Sequence, residues 1–361
     1  FARRVHRIRR QCPDAREIAE AATLLRNAKR PVIVAGGGVQ YSGAVGALTA
    51  FAEAHGIPVV ETIAGRANMP ATHPLNIGPL GVTGSDSANA VAGAADVVLA
   101  VGTRLQDFTT GSWTVFAPDA RLIGLNVGRH DAAKHQSLAV VGDALLGLEA
   151  LGAALTDQLA PQDWTASAQA HRKTWDIYVA ANVAHGNRPA SYAQAIGVVN
   201  ALAHPRDRVV TAAGGLPAEV AANWRTLGIG TVDVEFGFSC MGYEIAGGWG
   251  ARIAQSEAEP DRDTIVFVGD GSYLLMNSDI YSSVLTQKKL IILVLDNGGF
   301  AVINKLQNNT GQPSFNNLIA DCPTVPEPFA VDFEAHARAM GALTETVANP
   351  ADLGTAFLRA K

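Results

Sequence analysis

The residues of this chain best suited to chemistry are a carboxylate and a carboxamide set among glycines at the ends of two apolar runs. Gly269-Asp270-Gly271-Ser272 follows Ile265-Val266-Phe267-Val268, and Asp296-Asn297 follows the run from Leu290 to Leu295. Asp270 and Asn297 are hard oxygen donors of the kind that hold Mg²⁺ or Ca²⁺. Gly271 lets backbone N–H groups come close to a phosphate. The chemistry these residues predict is a metal ion clamping a diphosphate.

Both apolar runs read as buried parallel strands, because runs of this length need cover on both faces. The stretch from Asn277 to Gln287 reads as the helix between them. One β-α-β unit then carries Asp270 and Asn297 to the same sheet edge, where open α/β folds bind ligands. A second glycine pair, Gly214-Gly215, follows the strand 208–212 and precedes a helix, so its N–H groups can also face a phosphate.

The chain has 361 residues, enough for two or three domains. Its 48% hydrophobic content, 36 glycines and 17% charged residues suit a large α/β protein. A net charge of -5 without a basic block excludes nucleic acid as an expected partner. No apolar run is long enough to span a membrane. The basic start has no apolar core, so no secretory signal is read. Cys12, Cys240 and Cys322 show no CxxC spacing, which favours a reducing cytoplasm. The start lacks Met, and the chain reads as a piece of a longer polypeptide.

Strand and helix signals alternate along the chain, which means parallel sheet. The expected fold class is α/β, with two doubly wound parallel-sheet domains. Residues 1–15 read as a linker, 16–155 as a Rossmann-like domain, 156–190 as a helical connector and 191–361 as the domain holding Asp270. In the first domain, Asp14 reads as the N-cap of a helix to Lys29. Strands are expected at 31–35, 58–61, 96–102 and 121–127. In the second, Ser191 caps a helix at 192–203, strands follow at 208–212 and 232–235, 308–327 is a loop and 332–340 a helix. Gly36-Gly37-Gly38 reads mainly as a structural turn, with a bound flavin or other nucleotide as the minor reading. No HExxH, HxH or GxSxG pattern occurs, and His130 and His135 read as surface residues.

The GDG element, a spacer and a strand ending in Asp-Asn resembles the binding motif of thiamine diphosphate (ThDP) enzymes, GDG…NN. Asp296 departs from it, standing where many members have the first Asn, while Asn297 is kept. The resemblance covers nearly the whole chain, as the central and pyrophosphate-binding domains. It implies ThDP and Mg²⁺ as cofactors, with Asp270, Asn297 and the Gly299 carbonyl as metal ligands. Gly214, Gly215, Gly269, Gly271 and Ser272 would line the cofactor. It implies further that Met241 wedges under the cofactor and bends it, and that the Ser239 carbonyl accepts from the 4′-amino group. Cys240 is then a packed thiol and no nucleophile.

Three strings, at 3–10, 103–112 and 297–304, are similar to the branch of that family that acts in myo-inositol catabolism. That branch opens a small polyhydroxylated cyclic 1,2-diketone to 5-deoxy-glucuronate, as a C–C bond hydrolase acting on a ketone. The family also implies a homodimer or homotetramer with active sites at the interface. The family's first domain, the pyrimidine-binding one, carries the glutamate that activates the cofactor and is not in this sequence, and no Glu here takes that role, Glu61 and Glu235 included. An acetohydroxyacid-synthase-like carboligase, which a flavin site would favour, and a non-catalytic piece that only anchors diphosphate are the alternatives.

Overall fold

A computed structural model describes residues 4, 9–184, 186, 190–256, 259–322 and 329–361. Most of the string at 3–10 and part of the loop at 308–327 lie outside the described residues. The chain divides into two compact units, residues 1–177 and 178–361.

The first unit is built on strands β1 (Pro31–Ala35), β2 (Val59–Glu61), β3 (Asn76–Pro79), β4 (Val97–Val101), β5 (Arg121–Asn126) and β6 (Leu138–Val141). They form one parallel sheet in the order β3-β2-β1-β4-β5-β6. Successive side chains of a strand point to opposite faces, so β1 feeds two cores. Ile33 and Ala35 join Leu99, Val101, Ile123 and Leu125 on one face, under the helices Ala15–Asn27, Val45–His55 and Ala144–Leu155. Val32 and Val34 join Val60, Val98 and Ala100 on the other. Asp14 caps the first helix through the Arg16 N–H, as its sequence predicts. The edge strands β3 and β6 were not expected. The run Asn-Ile-Gly-Pro of β3 carries breakers that only an edge strand tolerates.

The expected connector region holds one helix, Gln162–Ala184. Its Trp164 is buried in the first unit's core and donates from Nε1 to the Pro31 carbonyl, 2.8 Å. The boundary between the units falls inside this helix, at 177/178. The Gly36–Gly38 turn is tied to the end of β4. The Gly36 and Gly38 N–H groups donate to Val101 O and Gly102 O at 2.9 Å each. A Cβ on Gly36 would stand 2.3 Å from Gly102 O, which explains the glycine.

At the end of β2, Glu61 is fully buried against the equally buried Arg66, and its Oε1 accepts the Met69 N–H at 3.0 Å. Burial pushes the Glu61 carboxyl up, and the Arg66 guanidinium pulls it back. Arg66→Ala strands that carboxylate and is expected to cost about 3–5 kcal/mol in urea denaturation; a loss below about 1 kcal/mol would mean the pair is not needed.

The second unit carries β7 (Arg208–Thr211), β8 (Val232–Val234), β9 (Thr264–Gly269) and β10 (Ile291–Leu295), all parallel, in the order β10-β9-β7-β8. Ser191 and Gln194 form a capping box at the start of the helix Tyr192–Leu202. Val210, Val266, Val268, Ile245, Tyr273 and Ile280 make the core on one face. Two expectations need correction. β9 is buried, but β10 is an edge strand and only half-buried beyond Ile291. The helix expected at 277–287 runs Asp279–Leu285, shorter at both ends, and a helix that was not expected, Asp270–Leu275, precedes it and ends where Met276 leaves the helical conformation.

Candidate functional site

The site grows from the shared edge of β9 and β10, where Gly269 pairs in register with Leu295. Asp270 starts the short helix after β9 and is 4% exposed. The backbone N–H groups of Gly299, Gly271 and Asn297 face its carboxylate. Burial pushes the Asp270 carboxyl up, the Asp296 charge adds to this, and those N–H groups oppose it. The result is concentrated negative charge of the kind a bound cation relieves.

One end of the Asn297 amide stands 2.8 Å from the Gly299 carbonyl oxygen and 3.3 Å from Asp270 Oδ1; the other end meets the Tyr192 hydroxyl. Two orientations fill these contacts. With Nδ2 inward, the amide donates to both oxygens and accepts from Tyr192. With Oδ1 inward, three oxygens face one another, an arrangement that only a cation holds. Mg²⁺ takes oxygens octahedrally at about 2.1 Å, which sets neighbouring ligands about 3 Å apart. The spacings of 2.8 and 3.3 Å fit. Asp270, Asn297 and Gly299 thus could hold Mg²⁺. Among the described residues no group of three His, Cys, Asp or Glu could do so.

Gly299 has a φ of 139°, and its loop is pinned by the Phe300 N–H donating to Asn317 O, 2.7 Å. Gly271 is glycine for space, since a Cβ there would meet the Phe300 ring at 2.6 Å. The same position lies 3.6 Å from the Met241 Cε methyl, which brings Met241 over the Asp270 turn. Gly214 takes a φ of 79° before the helix Leu216–Asn223, and Gly215 is that helix's N-cap. Gly269 has open space around its Cβ position.

Ser239 sits at a φ of 54° in the loop before Met241. Glu235 holds this loop by accepting the N–H groups of Phe238 and Cys240 at 3.0 and 2.7 Å. Burial opposes charge on Glu235, but those N–H groups outweigh it and keep its carboxyl below the usual range. Cys240, expected to be packed, is exposed, because the loop turns outward there. Desolvation and the Glu235 charge push its thiol up, so it remains a poor nucleophile.

The sequence reading missed two residues. Tyr192 was read only as a helix start, yet its hydroxyl meets Asn297, and its ring lies 3.9 Å from the Cβ position of Gly215. Burial pushes its phenol up, the Asn297 bond opposes this, and the Asp270 and Asp296 charges add to it, so it stays neutral. Glu244 is 0% exposed. Its Oε1 accepts the Ala213 N–H at 3.1 Å, and its Oε2 accepts the Gly242 N–H at 2.9 Å and the Ser272 hydroxyl at 2.8 Å. The Ser272 hydroxyl is therefore turned toward the buried Glu244. The one available signal was a lone carboxylate inside the small-residue segment Tyr-Glu-Ile-Ala-Gly-Gly.

Comparison with known proteins matches residues 18–151 to the thiamine pyrophosphate enzyme central domain. Residues 212–361 match the C-terminal TPP binding domain of the same enzymes. A protein of Geobacillus thermodenitrificans named 3D-(3,5/4)-trihydroxycyclohexane-1,2-dione hydrolase is 36% identical over 100% of this chain and 60% of its own length. Proteins of the same name from Clostridium perfringens and Bacillus anthracis are 37% and 33% identical, over 86% and 100% of this chain. The chain spans 52–60% of the length of these relatives. Two parallel-sheet units, a glycine-flanked aspartate at a strand end and these matches agree: the chain belongs to the thiamine pyrophosphate enzyme family.

Proposed function

We propose that this chain holds the diphosphate and metal end of ThDP in an enzyme that hydrolyses a C–C bond of a small polyhydroxylated cyclic 1,2-diketone. The observation that carries the cofactor site is the convergence of the Asp270, Asn297 and Gly299 oxygens beside Gly271 and Met241. The substrate class rests on what the relatives are named for. Trihydroxycyclohexane-1,2-dione, opened to 5-deoxy-glucuronate in inositol breakdown, is the reading adopted.

When bound, ThDP supplies a carbon nucleophile and an electron sink for cleavage next to a carbonyl. The residues of this chain do the rest by position. Asp270, Asn297 and Gly299 would hold Mg²⁺, whose charge would offset that of the diphosphate. The Gly214-Gly215 turn and the backbone at Ser272 would offer N–H groups to its oxygens. Met241 supports the cofactor from the Gly271 side, and the Ser239 carbonyl accepts from the aminopyrimidine. A homo-oligomer with sites at subunit interfaces is part of the proposal, and light scattering on the full-length protein tests it. The flavin that would favour a carboligase finds no free phosphate cradle at Gly36 and Gly38, whose N–H groups are spent on Val101 and Gly102.

The test is acid release. Ring opening by water yields one carboxylic acid per turnover, so a pH-stat on the full-length enzyme with ThDP, Mg²⁺ and the dione should consume base. No base uptake with the cofactors bound would refute the substrate class. A separate prediction concerns Gly299. A Cβ there would stand 2.4 Å from Asn317 O at a φ of 139°. Gly299→Ala should store about 1–3 kcal/mol of strain at the loop. Calorimetry should show Mg²⁺-dependent pyrophosphate affinity falling about tenfold or more, and unchanged affinity would remove Gly299 from the ligand set.

A further inference from the structure

We infer that Glu244 is a positioning residue that couples occupation of the diphosphate site to the seat of Met241; the inference rests on the cofactor reading above. Three segments end on this one carboxylate. The Ala213 N–H comes from the turn after β7, next to Gly214 and Gly215. The Ser272 hydroxyl comes from the first turn after β9, two residues past Asp270. The Gly242 N–H is adjacent to Met241, and it donates to the Ser272 oxygen as well, at 2.8 Å.

A carboxylate is an acceptor at both oxygens, and here it faces donors on both. A glutamate in the first turn of a helix ordinarily serves the helix dipole from the surface. Glu244 instead is 0% exposed and aimed across at two other segments. Buried networks of this kind hold their members jointly, because moving one leaves the others unpaired. Diphosphate binding that draws the Ala213–Gly215 and Asp270–Ser272 turns into place therefore sets the Gly242 N–H, and with it Met241. The diphosphate itself need not touch Met241. Gly242 takes a φ of 92°, which glycine adopts freely, and a Cβ there would lie 2.3 Å from Met276 Cγ.

Glu244→Gln tests this. The substitution keeps shape and burial but turns one arm into a donor. The NH₂ settles on the Gly242 and Ser272 side, because Ser272 can turn from donor to acceptor and the Ala213 N–H keeps the oxygen. Gly242 is then pushed away while the Gly214-Gly215 turn keeps its anchor. In calorimetric titrations of the full chain, Mg²⁺–pyrophosphate affinity should stay within about threefold and Mg²⁺–ThDP affinity should fall about tenfold, the scale of one buried donor left unpaired. In a Met241→Ala background the same substitution should change the ratio of the two affinities by less than about twofold, since the residue it acts through is gone. Equal losses for both ligands, or no loss for either, would overturn the coupling. Failure of the unsubstituted chain to bind either ligand would remove the cofactor reading, and this inference with it. Hydrogen exchange needs no substitution: Mg²⁺–pyrophosphate alone should slow exchange at Gly242 as well as at Ala213. Slowing confined to 213–216 and 269–272 would also overturn the coupling.

Discussion

Replacing Asp270 with alanine is expected to abolish Mg²⁺-dependent diphosphate binding. Asp270 is buried, its carboxyl is pushed up by that burial and by the Asp296 charge, and three backbone N–H groups facing it oppose the shift. The protein thus keeps a carboxylate where self-energy and a like charge both oppose it. The adjacent Asn297 amide end lies 2.8 Å from the Gly299 carbonyl oxygen and 3.3 Å from Asp270 Oδ1 in the same cluster. Without the carboxylate, the remaining oxygens are neutral, and a divalent cation loses its one fixed charge partner there. Even outer-shell partners of a metal typically cost about 10–100-fold in affinity, so loss of the charged ligand should exceed about 100-fold. Asp270→Asn keeps the volume and removes only the charge, which separates metal loss from misfolding. Calorimetry with Mg²⁺ and pyrophosphate decides: either variant binding as tightly as the unsubstituted chain would mean the cation sits elsewhere.

Much of this was legible in the sequence, for identifiable reasons. The strands at 31–35, 97–101 and 264–269 are uniform apolar runs, and such runs in a parallel sheet carry little other information. The Asp14 and Ser191 caps were readable because their side-chain chemistry is local. The edges were harder. β3 hides behind Gly and Pro, and β10 looks central in sequence although it lies at the edge of its sheet. Edge position depends on pairing order, which no local pattern encodes. In the site, Asp270, Asn297 and Met241 could be named because motif spacing marks them. Tyr192 and Glu244 could not, since each joins the site through contacts with residues far away in the chain. The short helix at Asp270–Leu275 escaped for a related reason: six residues with two glycine neighbours have little helical signal of their own, and burial of Tyr273 against Phe333 and His336 holds it.

Truncation of Met241 is expected to separate binding from turnover. The thioether lies over the Asp270 turn, with Cε 3.6 Å from the Cβ position of Gly271, and the residue is 36% exposed. It makes no part of the oxygen cluster, so Met241→Ala removes support and leaves the anchor. Mg²⁺–pyrophosphate affinity should stay within about threefold, because neither the charges nor the N–H groups that meet the diphosphate are touched. Turnover should fall about 100-fold in the full-length enzyme, the scale on which a displacement of about 1 Å between reacting groups acts. The loss should appear in kcat more than in KM for the dione, since the side chain supports the cofactor and not the substrate. Methionine is unbranched and adaptable, so Met241→Leu, close in volume, should recover most of the rate. Full turnover in the alanine variant, or a parallel collapse of pyrophosphate affinity, would show that Met241 packs the loop and does not support the cofactor.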